Sequence, residues 1–446
     1  MKVLLLDATG ALVDFGIKCI DNGHEVKQWI KKSASGEESD VGRGILPRVS
    51  NWQAHMNWAD IIVLSDNAYQ INFLEKYHKH GYPIVGPTNM AADLELDRGF
   101  GMKILEKAGL NVIPSQCFDD YNSAIEFVKA NPKRYVSKPS GDADKALSYV
   151  AKSAADMIFM LERWKSKGRN KQPFILQEFT PGIEIAVGGW VGPHGFNKLK
   201  CENFEFKKLM PGNYGVNTGE MGTVVKYVEE SQLFDETLGK LEEYLRYIGY
   251  CGYVDLAFII DSKGSPRPLE WTTRPGWPLF NIQCALHKGD PVEWMLDLVN
   301  GFDSLRASDK VAVGVVGAIP DFPFTKSTGR DPSGYPIYGL EKLKPNDVHL
   351  CEVKMGRAPV QKGNTIVTED MVVSAGDYVL VTTGTASTVC EAAKKAYEVM
   401  DKIEIPNSLI VRDDIGERLE KELPILQSYG YCTDFVYEEE TEEEDD

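Results

Sequence analysis

The sequence predicts an α/β chain that opens on a parallel sheet and closes on an α+β domain. Three observations predict it. Strand and helix patterns alternate from residue 1 to about 92, the rhythm of an open parallel sheet. Tyr253–Ile260 and Pro268–Thr272 read as a strand pair that carries two acids. Met371–Thr382 reads as a hairpin and Ser387–Ile403 as an amphipathic helix, which together mark a separate closing domain.

Length and composition set the frame. A chain of 446 residues, 43% of them hydrophobic, has room for about two to four domains with sizeable cores. No run of 18 apolar residues exists, so no membrane span is expected. The apolar run at Val3–Leu6 lacks the length and cleavage site of a signal peptide and reads as a buried first strand. The net charge of −17 argues against a nucleic-acid groove. Part of that charge sits in Glu438–Asp446, with eight acids in nine residues, expected to be a self-repelling, disordered tail. The eight cysteines form no CxxC pair or Cys/His cluster, which argues against a zinc site and suits reduced thiols in a cytoplasmic protein.

In chain order, Lys2–Leu6 is the first strand. Asp7–Ala11 is a small-residue turn and Leu12–Asn22 the helix after it. His24–Trp29, Ala59–Leu64 and Pro83–Gly86 are further strands, with a helix over about 69–80. Ligands of such sheets bind at the carboxyl ends of strands, so the turns at Asp7–Ala11 and Ser65–Ala68 face a cleft. The Thr9-Gly10 turn is compatible with a phosphate site and with a purely structural turn. Asn89–Ala108 reads as one helix stopped by Gly109, and Glu229–Ile248 as another. Between them, a strand delivers Lys138 to a loop of small residues, Ser140-Gly141-Asp142, where lysine and backbone N–H groups can meet phosphates. A solvated lysine before a turn is the plainer alternative. Phe174–Phe179 is a strand whose end can pair with an adenine edge, and Glu184 can accept from a ribose hydroxyl. Pro211–Gly222 is glycine-rich and can bring backbone close to a small ligand.

The strand pair at 253–272 is the centre of the chemistry. Asp255 and Glu270 can point to one face from neighbouring strands, which suits Mg²⁺, a hard cation that leaves room for phosphate oxygens. Arg274, just past the strand end, can hold a transferring phosphoryl group or a carboxylate. A plain hairpin with solvated acids is the alternative.

Taken together, these pieces resemble the ATP-grasp superfamily and, within it, the phosphoribosylamine–glycine ligases. The resemblance rests on Val85–Glu95, Arg98-Gly99-Phe100-Gly101, Lys138, Gln177–Phe179, Gly182-Ile183-Glu184, Asn217–Gly222, Ser374–Val381 and Arg412–Gly416. It implies an ATP-grasp fold with a Rossmann-like domain at 1–92, an ATP-grasp domain at 93–303, a closing domain at 304–432 and the acidic tail at 433–446. Residues of about 111–187 would form a lid over ATP. It further implies ATP and Mg²⁺ (or Mn²⁺) as cofactors. Arg98, Lys138, Gln177, Glu178, Phe179 and Glu184 would hold the nucleotide, and Asp255, Glu270 and Thr272 the metal. Thr9, Gly10, Asn217, Thr218, Gly219 and Arg274 would meet substrates, with Arg274 and Lys138 catalytic. The implied reaction joins a small-molecule carboxylate to an amine through an acyl phosphate, in a cytoplasmic monomer that binds neither nucleic acid nor membrane.

The departures fall on the substrate side. The family's Gly-Gly-Arg-Glu-His turn is Asp7-Ala8-Thr9-Gly10-Ala11 here, and the run after Glu270 keeps Arg274 but has Thr272, Trp277 and Leu279 in place of Asn and two acids. Asp7, Asp14 and Asp66 near the cleft are expected to repel a phosphate and favour a cationic or uncharged amine. Two alternatives stay open: a ligase with a different carboxylate–amine pair, and a non-catalytic nucleotide-binding relative.

Overall fold

A computed structural model describes residues 1–32, 36–140, 148–168 and 173–439. Gly141 and Asp142 of the loop after Lys138, and most of the acidic tail, lie outside the described residues.

The first sheet is parallel, in the order Glu25–Ile30, Lys2–Asp7, Ile61–Leu64, Ile84–Val85. Val3 to Leu6 and Ile61 to Leu64 are all buried, because helices and loops cover both faces and every position of a central strand needs an apolar side chain. Helices Val13–Asp21 and Ile71–Lys79 supply part of that cover.

The largest sheet has eight strands, all antiparallel to their neighbours. Its order is Pro266–Thr272, Gly252–Ile260, Ile183–Gly192, Gly195–Glu205, Gly222–Val228, Val311–Ala318, Tyr378–Ala386, Val348–Leu350. It runs without a break past residue 303, since Gly222–Val228 pairs directly with Val311–Ala318. A third sheet, of four strands between Ser115 and Glu178, carries helices Tyr121–Ala130 and Ala154–Ser166. It has its own core of Phe118, Tyr135, Leu161, Trp164 and Phe174.

Three expected elements are built differently. The helix over 89–108 is two helices, Asn89–Leu96 and Arg98–Lys107. Asp97 is extended between them (φ −98°, ψ 90°), and its carboxylate caps the second by accepting from Phe100 N at 3.0 Å. That break sets Arg98 at a helix start. The helix over 229–248 is Gln232–Glu236, a 3₁₀ turn Leu238–Leu241, and Glu242–Tyr247. Thr237 leaves the helical region there and its hydroxyl bonds back to Leu233 O. The hairpin over 371–382 does not form. Thr365–Ser374 pairs with Val353–Lys362, while Tyr378–Ala386 joins the eight-stranded sheet. Glu352 holds the bend between them, accepting from Tyr378 N at 3.0 Å. A Cβ on Gly376 would stand 2.0 Å from the same carboxylate, so the bend needs glycine.

Candidate functional site

Glu270 lies on the edge strand of the large sheet, where three cations approach from three other elements. Arg98 Nη1 reaches Glu270 Oε2 at 2.9 Å from the helix start that Asp97 caps. The same guanidinium donates from Nε to Pro139 O at 2.9 Å, tying it to the strand that carries Lys138. Lys138 Nζ donates to Leu269 O at 3.0 Å, one residue from the carboxylate. Burial, reinforced by Arg98 and Lys207, brings the Lys138 ammonium down to about 8. The Lys207 ammonium, helped by Arg98 and Lys138, holds the Glu270 carboxyl well below the usual carboxylate range.

Lys207 is the hub that the sequence reading missed. Its Nζ contacts Glu205 at 2.8 Å, Glu184 at 2.9 Å and Glu270 at 3.0 Å. Burial opposes its charge, but the three carboxylates outweigh that and raise it well above an ordinary lysine. Its position follows from chain order: Gly195–Glu205 ends two residues earlier, and the glycine-rich segment begins just after. Thr218 N and Oγ1 both donate to Lys207 O, at 2.8 and 2.9 Å, and fix its backbone. Arg418 donates to Glu184 O and Glu205 O, each at 3.3 Å, and so ties the closing segment to the same carboxylates' backbone. A lysine between a strand end and a glycine-rich loop was the available signal.

The register places the expected metal donors on one face. Asp255 is opposite Thr272, and Glu270 is opposite Ala257, two residues along from Asp255. Asp255 is buried and accepts from Tyr253 OH at 2.7 Å and Asn203 Nδ2 at 2.8 Å. Burial, with the nearby Glu205 charge, lifts its carboxyl to about 7. Gly188 on the adjoining strand leaves the room: a Cβ there would be 2.1 Å from Tyr253 OH and 2.7 Å from Asp255 Oδ2. Asn203 Oδ1 is buried beside this carboxylate without a hydrogen-bond partner among the described residues. An orphaned oxygen next to a carboxylate suits a hard divalent cation. Among the described residues no group of three His, Cys, Asp or Glu forms a self-contained metal cage. The donor set therefore fits an ion completed by phosphate oxygens.

Arg274 belongs to a second cluster. Its Nη2 meets Glu95 Oε1 at 3.0 Å. Glu95 Oε2 accepts from Thr273 N at 2.9 Å and Asn67 Nδ2 at 2.7 Å, and Asn67 also donates to Thr273 Oγ1 at 3.0 Å. Glu95, aided by Asp66, raises the Arg274 guanidinium further above its ordinary value.

The other expected residues are more dispersed. Gln177 is buried in the small sheet, with Nε2 unpaired among the described residues. Glu178 turns out to Lys133 at 2.6 Å, and Phe179 lies under the Arg134 guanidinium at 3.4 Å. Asn217 donates to Ser148 O at 2.9 Å, linking the glycine-rich segment to the small sheet. Thr9 is exposed, but Gly10 is buried, and its N–H donates to Asp7 Oδ1 at 3.0 Å rather than facing a ligand. The expected repulsion of phosphate by Asp7 and Asp14 is also corrected. Asp7 is turned inward onto Gly10 N, Leu12 N and Gln28, and Asp14 onto Lys18 and His349 at 3.0 and 2.8 Å. Arg412 is buried and holds Asp414, Asn213 and Lys208 O.

The family profile for Phosphoribosylglycinamide synthetase, ATP-grasp (A) domain, matches residues 97–278, the span from Asp97 to just past Arg274. The chain has the ATP-grasp fold. It resembles the phosphoribosylamine–glycine ligases over most of its length. It is 25% identical to that of Salmonella typhimurium over 392 residues, covering 85% of this chain and 87% of the relative. It is 25% identical to that of Chlorobaculum tepidum over 374 residues, covering 80% and 83%. The crystal structure of the Thermotoga maritima phosphoribosylamine–glycine ligase superposes with a TM-score of 0.69 at 21% identity, covering 93% of this chain and all of that one. The ADP complex of an N5-carboxyaminoimidazole ribonucleotide synthetase shares the fold with a TM-score of 0.58 at 13% identity, covering 90% of this chain and 96% of that one.

Proposed function

We propose that the chain is an ATP-dependent carboxylate–amine ligase working through an acyl phosphate. The observation that carries this reading is the convergence of Arg98, Lys138 and Lys207 on Glu270. Arg98 and Lys138 can take up the phosphates of ATP in place of Glu270, while Lys207 keeps Glu184 and Glu205, and Glu270 is then freed to turn to a metal ion. Mg²⁺, held by Asp255, Glu270 and Thr272, would neutralise phosphate charge when bound. In the reaction, a substrate carboxylate oxygen attacks the γ-phosphorus and ADP leaves. An amine nitrogen then attacks the acyl carbon, phosphate departs with the carboxylate's oxygen, and the nitrogen loses a proton. Arg274, held by Glu95, would stabilise the acyl phosphate. The small sheet and its two helices, within about 111–182, would act as the lid that keeps water from it, since 183–187 belong to the eight-stranded sheet, which itself continues past 303.

One observation favours a substrate pair other than glycine and phosphoribosylamine. The segment after Arg274, acidic in the family, packs into the core here: Leu279 is buried, and Trp277 lies 3.9 Å from the Tyr378 ring. A mass-spectrometric screen of amino acids against candidate amines tests the reading. ATP-dependent condensation of one pair is expected, and ATP hydrolysis that no pair stimulates would count against it.

The Asp255 carboxyl near 7 gives a pH signature. A divalent cation needs the ionised form, so metal-dependent nucleotide affinity should rise from about pH 6 to about pH 8, by up to roughly tenfold per unit below the midpoint. Calorimetric titration with Mg²⁺ and an ATP analogue checks this, and Asp255→Asn should flatten the profile.

A further inference from the structure

Past Arg274 the chain enters the core, yet one large side chain stays partly outside it. Leu279 and Phe280 are buried, whereas Trp277 between them and Arg274 is only half-buried. Three residues span at most about 11 Å between Cα atoms, so a small molecule held by the Arg274 guanidinium can reach the indole.

The indole is fixed from two sides. Its Nε1 donates to Cys351 Sγ at 3.1 Å, and its ring lies 3.9 Å from the Tyr378 ring with the planes 60° apart. Tyr378 in turn meets Phe322 at 4.6 Å. Inclined ring contacts of this kind hold aromatic side chains in one orientation. Met221, Ala318 and Phe322 form the buried apolar backing on which Tyr378 packs. Tyr378 is itself only half-buried.

Three elements proposed to meet substrates converge on this pair of rings. Tyr378 OH accepts from Glu220 N and donates to Glu220 O, both at 3.2 Å, which fastens the Asn217–Gly222 segment to the phenol. The first turn reaches the hydrogen-bond partner of the indole: a Cβ on Gly10, which takes φ +110°, would stand 3.1 Å from Cys351 O, so glycine allows this approach. Arg274 is the third, three residues back along the chain. Apolar surface left partly open beside a group that holds a carboxylate favours a ligand whose own apolar part covers it.

We propose that Trp277 and Tyr378 are specificity-determining residues for the carboxylate substrate, which carries an aromatic or aliphatic side chain that lies on their rings. The substrate class is then a carboxylate with an apolar side chain, larger than glycine. Its role in turnover rests on the ligase reading, whereas its binding beside Arg274 does not.

Isothermal titration of the full chain, saturated with Mg²⁺ and a non-hydrolysable ATP analogue, compares L-phenylalanine, L-leucine and glycine. ADP release with ATP is measured in parallel for each, with hydroxylamine present to trap an acyl phosphate as the hydroxamate. Phenylalanine or leucine is expected to bind at least roughly tenfold tighter than glycine and to drive ADP release at correspondingly lower concentration. The tighter probe should change the tryptophan emission, and that change should vanish in Trp277→Phe, which keeps a ring in place. Trp277→Ala, its fold checked by thermal melt, should weaken that probe by roughly tenfold. Failure of both larger probes to bind, glycine binding as tightly as either, or an unchanged preference in a folded Trp277→Ala would overturn the proposal. If Trp277→Ala does not fold, the emission decides: a change that persists in Trp277→Phe puts the side chain elsewhere and overturns it equally. Binding of a larger probe without ADP release would remove the ligase reading and leave the apolar subsite standing, and ADP release driven best by glycine would do the reverse.

Discussion

Glu270→Ala should abolish ADP formation while leaving the fold intact. The carboxylate is the common partner of Arg98 and Lys207 and one of the two acids that the strand register sets on one face. Its loss leaves two cations without their fixed geometry and removes a proposed metal donor. Loss of one group of this kind costs about 3–4 kcal/mol at the barrier, roughly a hundred- to thousandfold in rate. Lys138 keeps its bond to the Leu269 carbonyl, and the strand pairing with Gly252–Ile260 is unaffected by the side chain. Steady-state ADP release together with far-UV circular dichroism measures both halves. Wild-type turnover in a folded variant would contradict the assigned role.

Lys207→Met should lower both activity and stability. Glu184, Glu205 and Glu270 would lose their shared cation and face one another with less compensation. Removing one partner from a fully buried ion pair costs about 3–5 kcal/mol. With 28% of the Lys207 side chain exposed, about 2–3 kcal/mol is the expected loss at pH 7. The sign of the pH dependence follows from the acids. Lys207 comes first in holding Glu270 down; Glu184 is also lowered, its burial being outweighed chiefly by Lys207. Such groups stabilise the fold above their unfolded value and lose that contribution as pH falls through the folded one. The gap between wild type and variant should therefore be widest near neutrality and close as pH falls below about 4.5. Urea melts at pH 7 and pH 4 read this directly. A gap independent of pH would mean that packing, not charge, governs the loss.

The sequence made the βαβ opening, the acid-bearing strand pair and Arg274 legible because each depends on local pattern. Apolar Val3–Leu6 can only be a covered strand, and the 255/270 register follows from a short turn. Elements that depend on distant partners were less legible. The break at Asp97 looks like an ordinary helical position until its carboxylate is seen to cap Phe100. Tyr378–Ala386 left its expected hairpin because both of its neighbours in the large sheet lie outside it in sequence. At the site, Lys138 and Glu184 were readable from strand ends, whereas Lys207 gains meaning only where three separate strands deliver Glu184, Glu205 and Glu270. Counting acids near the first turn misled for the same reason. Sequence gives the charge of Asp7 and Asp14 but not their direction, and both serve internal bonds.

In the proposed mechanism ATP activates a carboxylate as an acyl phosphate held by Arg98, Lys138, Lys207 and Arg274. Transfer of oxygen isotope distinguishes this route from others. The protein would be incubated with ATP, Mg²⁺, the amine and carboxylate pair found by condensation screening, and ¹⁸O in the carboxylate. Mass spectrometry of the released phosphate should show one carboxylate oxygen carried into it for each amide formed, with ADP as the other product. Amide formation with unlabelled phosphate, or with AMP and pyrophosphate in place of ADP, would contradict the account.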